Sequence, residues 1–197
     1  MIDLLRKILK SPILSIKYFL YYLFGNTVGR IAYSSKYLVG KHFQKIHSSG
    51  WKWVYHSFIW QKIFGINRHV PWPTSRNILI VSPQNIFFHP DDLNNFQTIG
   101  NYFQACEKIE IGKGTYIAPN VGLITQNHNL KELDKRGVAK EIIIGEQCWI
   151  GMNSMILPGI VLGKNTIVGA GSVVTKSFSE GGCVIAGNPA KIIKRIM

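Results

Sequence analysis

From Ile144 to Val174 an aliphatic residue returns at every sixth position: Ile144, Ile150, Ile156, Leu162, Val168 and Val174. An amphipathic helix repeats its buried face about every 3.6 residues and a half-buried strand about every two, so a period of six fits neither. It fits short segments that turn a corner after each hexad and stack on their own later copies. Gly145, Gly151, Gly163 and Gly169 each follow one of the aliphatic residues, as expected where the backbone turns tightly beside a buried side chain. Ser154, Thr166 and Ser172, each four places after an aliphatic residue, suit the same corner. The expectation is a mainly β fold whose aliphatic ladders fill a narrow prism.

The phase extends upstream through Leu123, Ile117, Ile111 and Ala105, and more loosely through Ile99, Leu93, Phe87 and Val81. The step from Leu123 to Ile144 is three and a half hexads, so the register breaks once, as an extruded loop would make it. That loop, from about Gln126 to Glu141, holds His128 and the charged run Lys131, Glu132, Asp134, Lys135 and Arg136.

Charge is concentrated at the other end of the chain. Residues 1–70 carry eleven Lys and Arg against the single acid Asp3, which places +10 of the net +13 there. Such asymmetry points to an anionic partner. The apolar run from Ile13 to Phe24 is interrupted by Lys17 and falls short of the roughly 20 residues that span a bilayer. Tyr18, Phe19, Tyr21, Tyr22 and Phe24 beside Lys7, Lys10 and Lys17 suit a segment lying at an anionic membrane surface. The bland alternative is a helical subdomain that packs its aromatics on the repeat domain or in an oligomer contact. No recognisable nucleic-acid motif accompanies the charge.

Helices are expected over residues 2–24, broken near Pro12, over Val28 to His47, and over Trp51 to Phe64, with Gly50 and Gly65 as stops. Pro71-Trp72-Pro73 reads as a stiff link. The organisation is therefore a basic, aromatic helical region (1–70), a linker with irregular first coils (71–98), a repeat domain (99–185) with its loop at 126–141, and a basic tail (186–197) read as a short helix or extended arm. Cys106, Cys148 and Cys183 are an odd count without disulfide or metal spacing, which favours a reducing compartment. Asp3 ahead of the apolar run, Lys17 inside it and the lack of a small-residue cleavage site do not read as a signal peptide. The expected location is cytoplasmic, peripheral on the inner face of the cell membrane.

The hexads, the His-bearing loop between two blocks of coils, and three segments carry a family resemblance. These are Cys148-Trp149-Ile150-Gly151, Gly169-Ala170-Gly171-Ser172-Val173-Val174-Thr175-Lys176 and Ala186-Gly187-Asn188-Pro189-Ala190-Lys191. Over residues 75–197 the chain resembles the hexapeptide-repeat acyltransferases, most closely the galactoside, maltose and nodulation acetyltransferase branch and its polysaccharide O-acetyltransferase relatives. The resemblance implies a left-handed parallel β-helix, a homotrimer and acetyl-CoA as co-substrate, with no metal. It says little about the acceptor; the basic aromatic N-terminal region, which would hold the active site near the inner membrane, points to O-acetylation of a sugar hydroxyl in a cell-envelope or capsular glycan or its precursor.

Residue by residue, the resemblance makes His128 the general base, an imidazole suited to take the proton of an attacking alcohol. His42, His47, His56, His69 and His89 suit surface or packing roles. In the resembling sugar enzymes a Pro commonly follows the catalytic His, whereas Asn127 and Asn129 flank it here. An acid, a backbone carbonyl or Asn127 could orient the ring, and Glu107 is a weak candidate. Trp149, with Asn127, would border the acceptor and pantetheine tunnel. Gly151 and Met152 would present backbone to the thioester or pantetheine arm, and Ala170 its amide to pantetheine. Thr175, Lys176, Lys191, Lys194 and Arg195 would meet the adenosine end, with lysines as point charges on phosphate.

The alternatives are an acetyltransferase for a soluble small molecule (free sugar, serine, antibiotic or nucleotide-sugar amine) and a non-catalytic β-helix scaffold. A β-helix carbonic anhydrase would need zinc-binding histidines at paired spacing, which the coils lack.

Overall fold

A computed structural model of the chain describes residues 12–196, in two compact units, Met1–Arg76 and Asn77–Met197. The helix expected over residues 2–11, with Lys7 and Lys10, lies outside the described residues.

In the first unit, helix α1 (Pro12–Phe24) begins on its proline, where a missing amide donor is not needed. It runs through a π-helical turn, Gly25–Gly29, into a last helical turn, α2 (Arg30–Ala32). Beyond Ala32 the chain leaves the helix, with a 3-10 turn at Ser35–Tyr37 and Gly40 at φ +76°. The helix expected over Val28 to His47 is therefore realised only in its first residues; Tyr33, Tyr37, Leu38 and Phe43 are buried from the irregular chain that follows. Helix α3 (Ser49–Phe58) and its π-helical continuation Ile59–Ile63 match the third expected helix, and the chain turns away at Gly65, φ +84°. Gly50 sits inside the first turn of α3, because a Cβ there would strike the His42 carbonyl and the Phe43 ring.

Helix α1 and its continuation pack on α3 through Gly25, which accommodates the Trp51 ring, and Gly29, which accommodates Val54. Buried Gln61 ties the Pro71-Trp72-Pro73 segment to this pair. Its Nε2 donates to the carbonyls of Asn67 (3.1 Å) and Trp72 (3.3 Å), and its Oε1 accepts from Tyr33 Oη and Thr74 N, both at 3.0 Å. Burial pushes the Tyr33 phenol far above its usual range. Ile16, Phe19, Leu20 and Leu23 of α1 and Ile31 of α2 are exposed.

In the second unit short strands stack into three sheets. The first contains β1 (Leu79–Val81), β3 (Tyr102–Gln104), β6 (Gly122–Ile124), β9 (Met155–Ile156) and β12 (Val173–Val174). The second contains β2 (Ile86–Phe88), β4 (Ile109–Ile111), β7 (Ile142–Ile144) and β10 (Val161–Leu162). The third contains β5 (Tyr116–Ile117), β8 (Trp149–Ile150), β11 (Ile167–Val168), β13 (Cys183–Gly187) and β14 (Ala190–Arg195). Chain order visits the sheets in rotation, and all pairings are parallel except β13 with β14. The unit is a left-handed parallel β-helix, with N-terminal helices in the preceding unit. The C-terminal segment is a strand folded back on the last coil, because its residues pair along β13 from Gly187↔Ala190 to Cys183↔Arg195.

The ladders Phe103–Leu123–Ile156–Val174, Ile111–Ile144–Leu162 and Ile117–Ile150–Val168–Ile185 fill the interior. Trp149 pairs with Ile167, three hexads on, whereas Tyr116 reaches its partner Trp149 only across a much longer stretch; the loop is thus an insertion into a single coil. The corners lie just beyond the glycines that suggested them. Gly114, Asn120, Gln147, Asn153, Gly159, Asn165 and Gly171 take the left-handed conformation, with φ between +54° and +83°. Gly145 and Gly151 serve close approach instead: a Cβ on either would stand 2.6 Å from a backbone nitrogen of the next coil.

The first coil departs from the expected phase. Ile80, Ile86 and Phe103 are buried, whereas Phe87 and Ile99 are exposed. This coil, from Leu79 to its partner Tyr102, is longer than three hexads, and its third side is a 3-10 segment, Pro90–Phe96, instead of a strand. The added length shifts the phase by one at Ile80 and Ile86, turning Phe87 to the opposite face.

Candidate active site

His128 stands in the loop between β6 and β7, where the coil is interrupted. Thr125 O accepts from Lys140 N (2.8 Å) and closes the base of the loop. Above it, Gly137 N donates to Asn127 O and Asn129 N to Lys135 O, both at 2.9 Å, and Gln126 Nε2 donates to Gly137 O at 2.8 Å. Asn129 Oδ1 accepts from Lys131 N (2.8 Å) and Glu132 N (3.3 Å), an Asx turn that reverses the chain. The reversal brings Arg136 opposite His128 in an isolated antiparallel bridge.

The His128 ring is held from within the loop: Nδ1 lies 2.7 Å from Leu133 O. A carbonyl can only accept, so Nδ1 carries the proton and Nε2 is left as the acceptor. Of the three possible orienting groups it is thus a backbone carbonyl that contacts the ring. Glu107 is turned elsewhere, its Oε1 accepting from Lys108 N at 3.0 Å.

A cavity of about 320 Å³ opens beside the imidazole, lined by His128, Asn127, Gln126 and Arg136 from the loop and by Val81, Tyr102, Gln104 and Cys106 from the preceding coils. Gln104 joins the two sides. Its Oε1 accepts from Gln126 N (3.0 Å), and its carbonyl accepts from Thr125 Oγ1 (2.5 Å). The sequence singled out His128 and Asn127 at this cavity. Tyr102, Gln104 and Cys106 were not legible, since they come from a coil whose phase is irregular; Arg136 was visible only as part of a charged run.

The remaining candidates lie apart from this cavity. Trp149 is 55% exposed on the outer face of the third sheet, between Tyr116 and Ile167. Gly151 is buried between coils; Met152 and Ala170 are exposed, and the Met152 carbonyl accepts from Gly171 N at 2.8 Å. Thr175 and Lys176 follow β12 on the surface. Lys176 and Arg195 border a second cavity of about 270 Å³ with Phe178, Glu180 and Ile192. There the Lys176 ammonium lies 5.8 Å from the Phe178 ring centroid, and Arg195 pairs with Glu180 at 3.0 Å. Lys191 and Lys194 are exposed on β14 and line neither cavity.

Comparison with known proteins follows the same division of the chain. Residues 141–176 match the bacterial transferase hexapeptide (six repeats) family. Galactoside O-acetyltransferase of Escherichia coli is 41% identical over 91 residues, 45% of this chain and 44% of that protein. The repeat domain is thus similar in sequence to the hexapeptide-repeat acetyltransferases. A second Escherichia coli protein, named "Putative lipopolysaccharide biosynthesis O-acetyl transferase WbbJ", is 36% identical over 106 residues, 48% of this chain and 54% of that protein. A galactoside acetyltransferase solved in complex with coenzyme A superimposes with a TM-score of 0.54 at 28% identity, over 64% of this chain and 62% of that one. The chain spans about half the length of these curated relatives.

Proposed function

We propose that the chain is an acetyl-CoA-dependent O-acetyltransferase acting on a sugar hydroxyl of a cell-envelope or capsular glycan or its precursor, with His128 as general base. The observation that carries the reading is a contact: Leu133 O lies 2.7 Å from Nδ1, so that in the neutral ring Nε2 is the acceptor, beside a cavity of about 320 Å³. A sugar hydroxyl is a weak nucleophile toward a thioester. As its oxygen bonds to the acetyl carbon, Nε2 takes its proton; the carbon–sulfur bond then breaks, and the leaving thiolate recovers that proton. No covalent enzyme intermediate is required.

Acetyl-CoA supplies the activated acetyl group. Its extended arm suits Ala170, flanked by Gly169 and Gly171, with the Met152 amide toward the thioester. Its phosphates suit Thr175, Lys176, Lys191, Lys194 and Arg195. These residues and Trp149 stand away from the His128 cavity in one chain, so the reading includes a homotrimer that sets them against the His128 loop of a neighbouring copy. Exposed Tyr116 (57%) and Trp149 (55%) on one sheet face are apolar surface such an assembly would cover. The CoA complex of the similar galactoside enzyme supports the co-substrate, and the lipopolysaccharide name of WbbJ supports a glycan acceptor.

The reading also holds the enzyme peripherally on an anionic membrane face through residues 1–70. Exposed Ile16, Phe19, Leu20 and Leu23 with Lys17 would enter the headgroup region. No helix among the described residues is long and apolar enough to cross a membrane. Flotation with anionic vesicles at low salt tests this part, and protein left wholly at the bottom of the gradient would sink it.

The main test is thiol release from acetyl-CoA across a panel of glycans and small acceptors. Glycan-dependent release is expected, and His128→Ala should lower it about 100-fold or more while CoA binding persists. Near-normal turnover by that variant removes His128 from the mechanism. Loss of both turnover and CoA binding in the wild type would favour a scaffold. A soluble glycoside is the second reading, favoured by a cavity near the lower end of small-molecule sites, and the same panel separates it.

A further inference from the structure

We infer that the His128 cavity selects an acceptor bearing an anionic group, a sugar carboxylate or phosphate ester, which docks on Arg136. This deepens the acetyltransferase reading and rests on it. The cavity walls contain no carboxylate, and Arg136 supplies their one permanent charge. Its placement is built by the fold, since the bridge that sets Arg136 opposite His128 puts both side chains on the same cavity.

Of the acids nearby, Asp134 makes no ion pair with Arg136, and the others are engaged elsewhere. Glu132 pairs with Lys135, Glu141 and Glu110 share Lys108 at 3.2 and 3.1 Å, and Glu107 accepts from the Lys108 amide. None of the ion pairs among the described residues uses Arg136. A neutral hydroxyl has no need of a guanidinium, whereas a carboxylate or phosphate can take its two-pronged hydrogen bond. Gln104 adds a second donor: the residue lines the cavity, and with its Oε1 committed to Gln126 N its amide nitrogen is the group left to donate. An anion held between Arg136 and Gln104 would fix the sugar ring and bring a neighbouring hydroxyl toward His128 Nε2.

The same anionic chemistry could come from a phosphate of acetyl-CoA, so the test separates the two sources. Binding to the full chain is measured by calorimetry or saturation-transfer NMR for matched pairs. These are methyl β-glucuronide against methyl β-glucoside, methyl galacturonide against methyl galactoside, and glucose 6-phosphate against glucose. At least one anionic member should bind about tenfold more tightly than its neutral partner, the scale of a charge-assisted hydrogen bond. Arg136→Gln should bring that ratio close to one, Arg136→Lys should restore part of it, and acetyl-CoA affinity should hold in both. Equal binding within every pair, binding of no member, or a loss that falls on acetyl-CoA instead would overturn the inference. Charge preference without thiol release would leave it standing and sink the acetyltransferase reading.

Discussion

The coil contact at Gly145 and the helix contact at Gly29 both use glycine to bring two stretches of chain together, and they differ in what stands opposite. A Cβ on Gly145 would lie 2.6 Å from Lys164 N and 2.8 Å from the carbonyl carbon of Gly163. That backbone is pinned by the ladder itself, in which Gly145 N donates to Leu162 O at 2.7 Å. A Cβ on Gly29 would lie 2.5 Å from Val54 Cγ1, an equally short approach to a side-chain methyl. Coil spacing is thus set by main chain, which cannot yield locally. Helix spacing is set by side chains, which can turn or be trimmed.

The comparison ranks two substitutions of the same size. Gly145→Ala should cost about 3 kcal/mol or more, at the upper end of overpacking, because relief requires separating two coils. Urea unfolding, with hydrogen exchange at β7 and β10, measures it; a loss below about 1 kcal/mol would mean the coils can part. Gly29→Ala should cost only about 1 kcal/mol net, since the overpacking of about 1–3 kcal/mol is offset by the better helix propensity of Ala. Combining it with Val54→Ala should show a favourable coupling, as the added methyl fills space the valine leaves. Equal losses at Gly145 and Gly29, with no coupling, would break the comparison.

The same difference explains what the sequence made legible. From Ala105 onward each hexad repeats one corner and one ladder position, so the buried residues can be counted off by sixes. Upstream, the 3-10 segment Pro90–Phe96 replaces a strand, and the period alone cannot announce a substitution of one element type for another. The period therefore puts Phe87 and Ile99 inside, whereas both are exposed. In the helical unit the expected helices stop at residue 24 and restart at Val28, yet the helical path continues through Gly25–Gly29, where Gly25 and Gly29 leave room for Trp51 and Val54. At the candidate site, His128 was legible from the register break. The Leu133 carbonyl was not, since a backbone partner leaves no residue-type signal, and Arg136 reaches the cavity only through a reversal made by the Asn129 side chain.

Corner residues give a smaller effect confined to the β-helix. Asn165 holds φ +58°, a conformation that costs an ordinary L residue roughly 1–2 kcal/mol and that Gly and Asn tolerate best. Asn165→Ala should lose about 1 kcal/mol, and Asn165→Gly should be nearly neutral. Equal losses for the two would show that the Asn side chain, not its backbone, holds the corner.

The smallest effect concerns pH and should appear only in the helical unit. His56 on α3 touches Tyr21, its Nε2 lying 3.4 Å from the phenol oxygen. Burial, and then the charges of Lys52 and Lys17, hold its imidazole below the ordinary value of about 6.5. As pH falls through that ordinary value the unfolded chain takes up a proton that the folded unit resists, so folding loses stability toward acid and keeps it above. Because that burial is only partial and much of the His56 side chain meets solvent, screening keeps the slope shallow. Hydrogen exchange, corrected for intrinsic rates, should show α3 amides losing protection between about pH 7 and 5. Strand amides of β8 and β11 should hold theirs over the same interval. His56→Asn should flatten the α3 slope; a slope that survives the substitution would place the titrating group elsewhere and remove this acid-side contrast between the units.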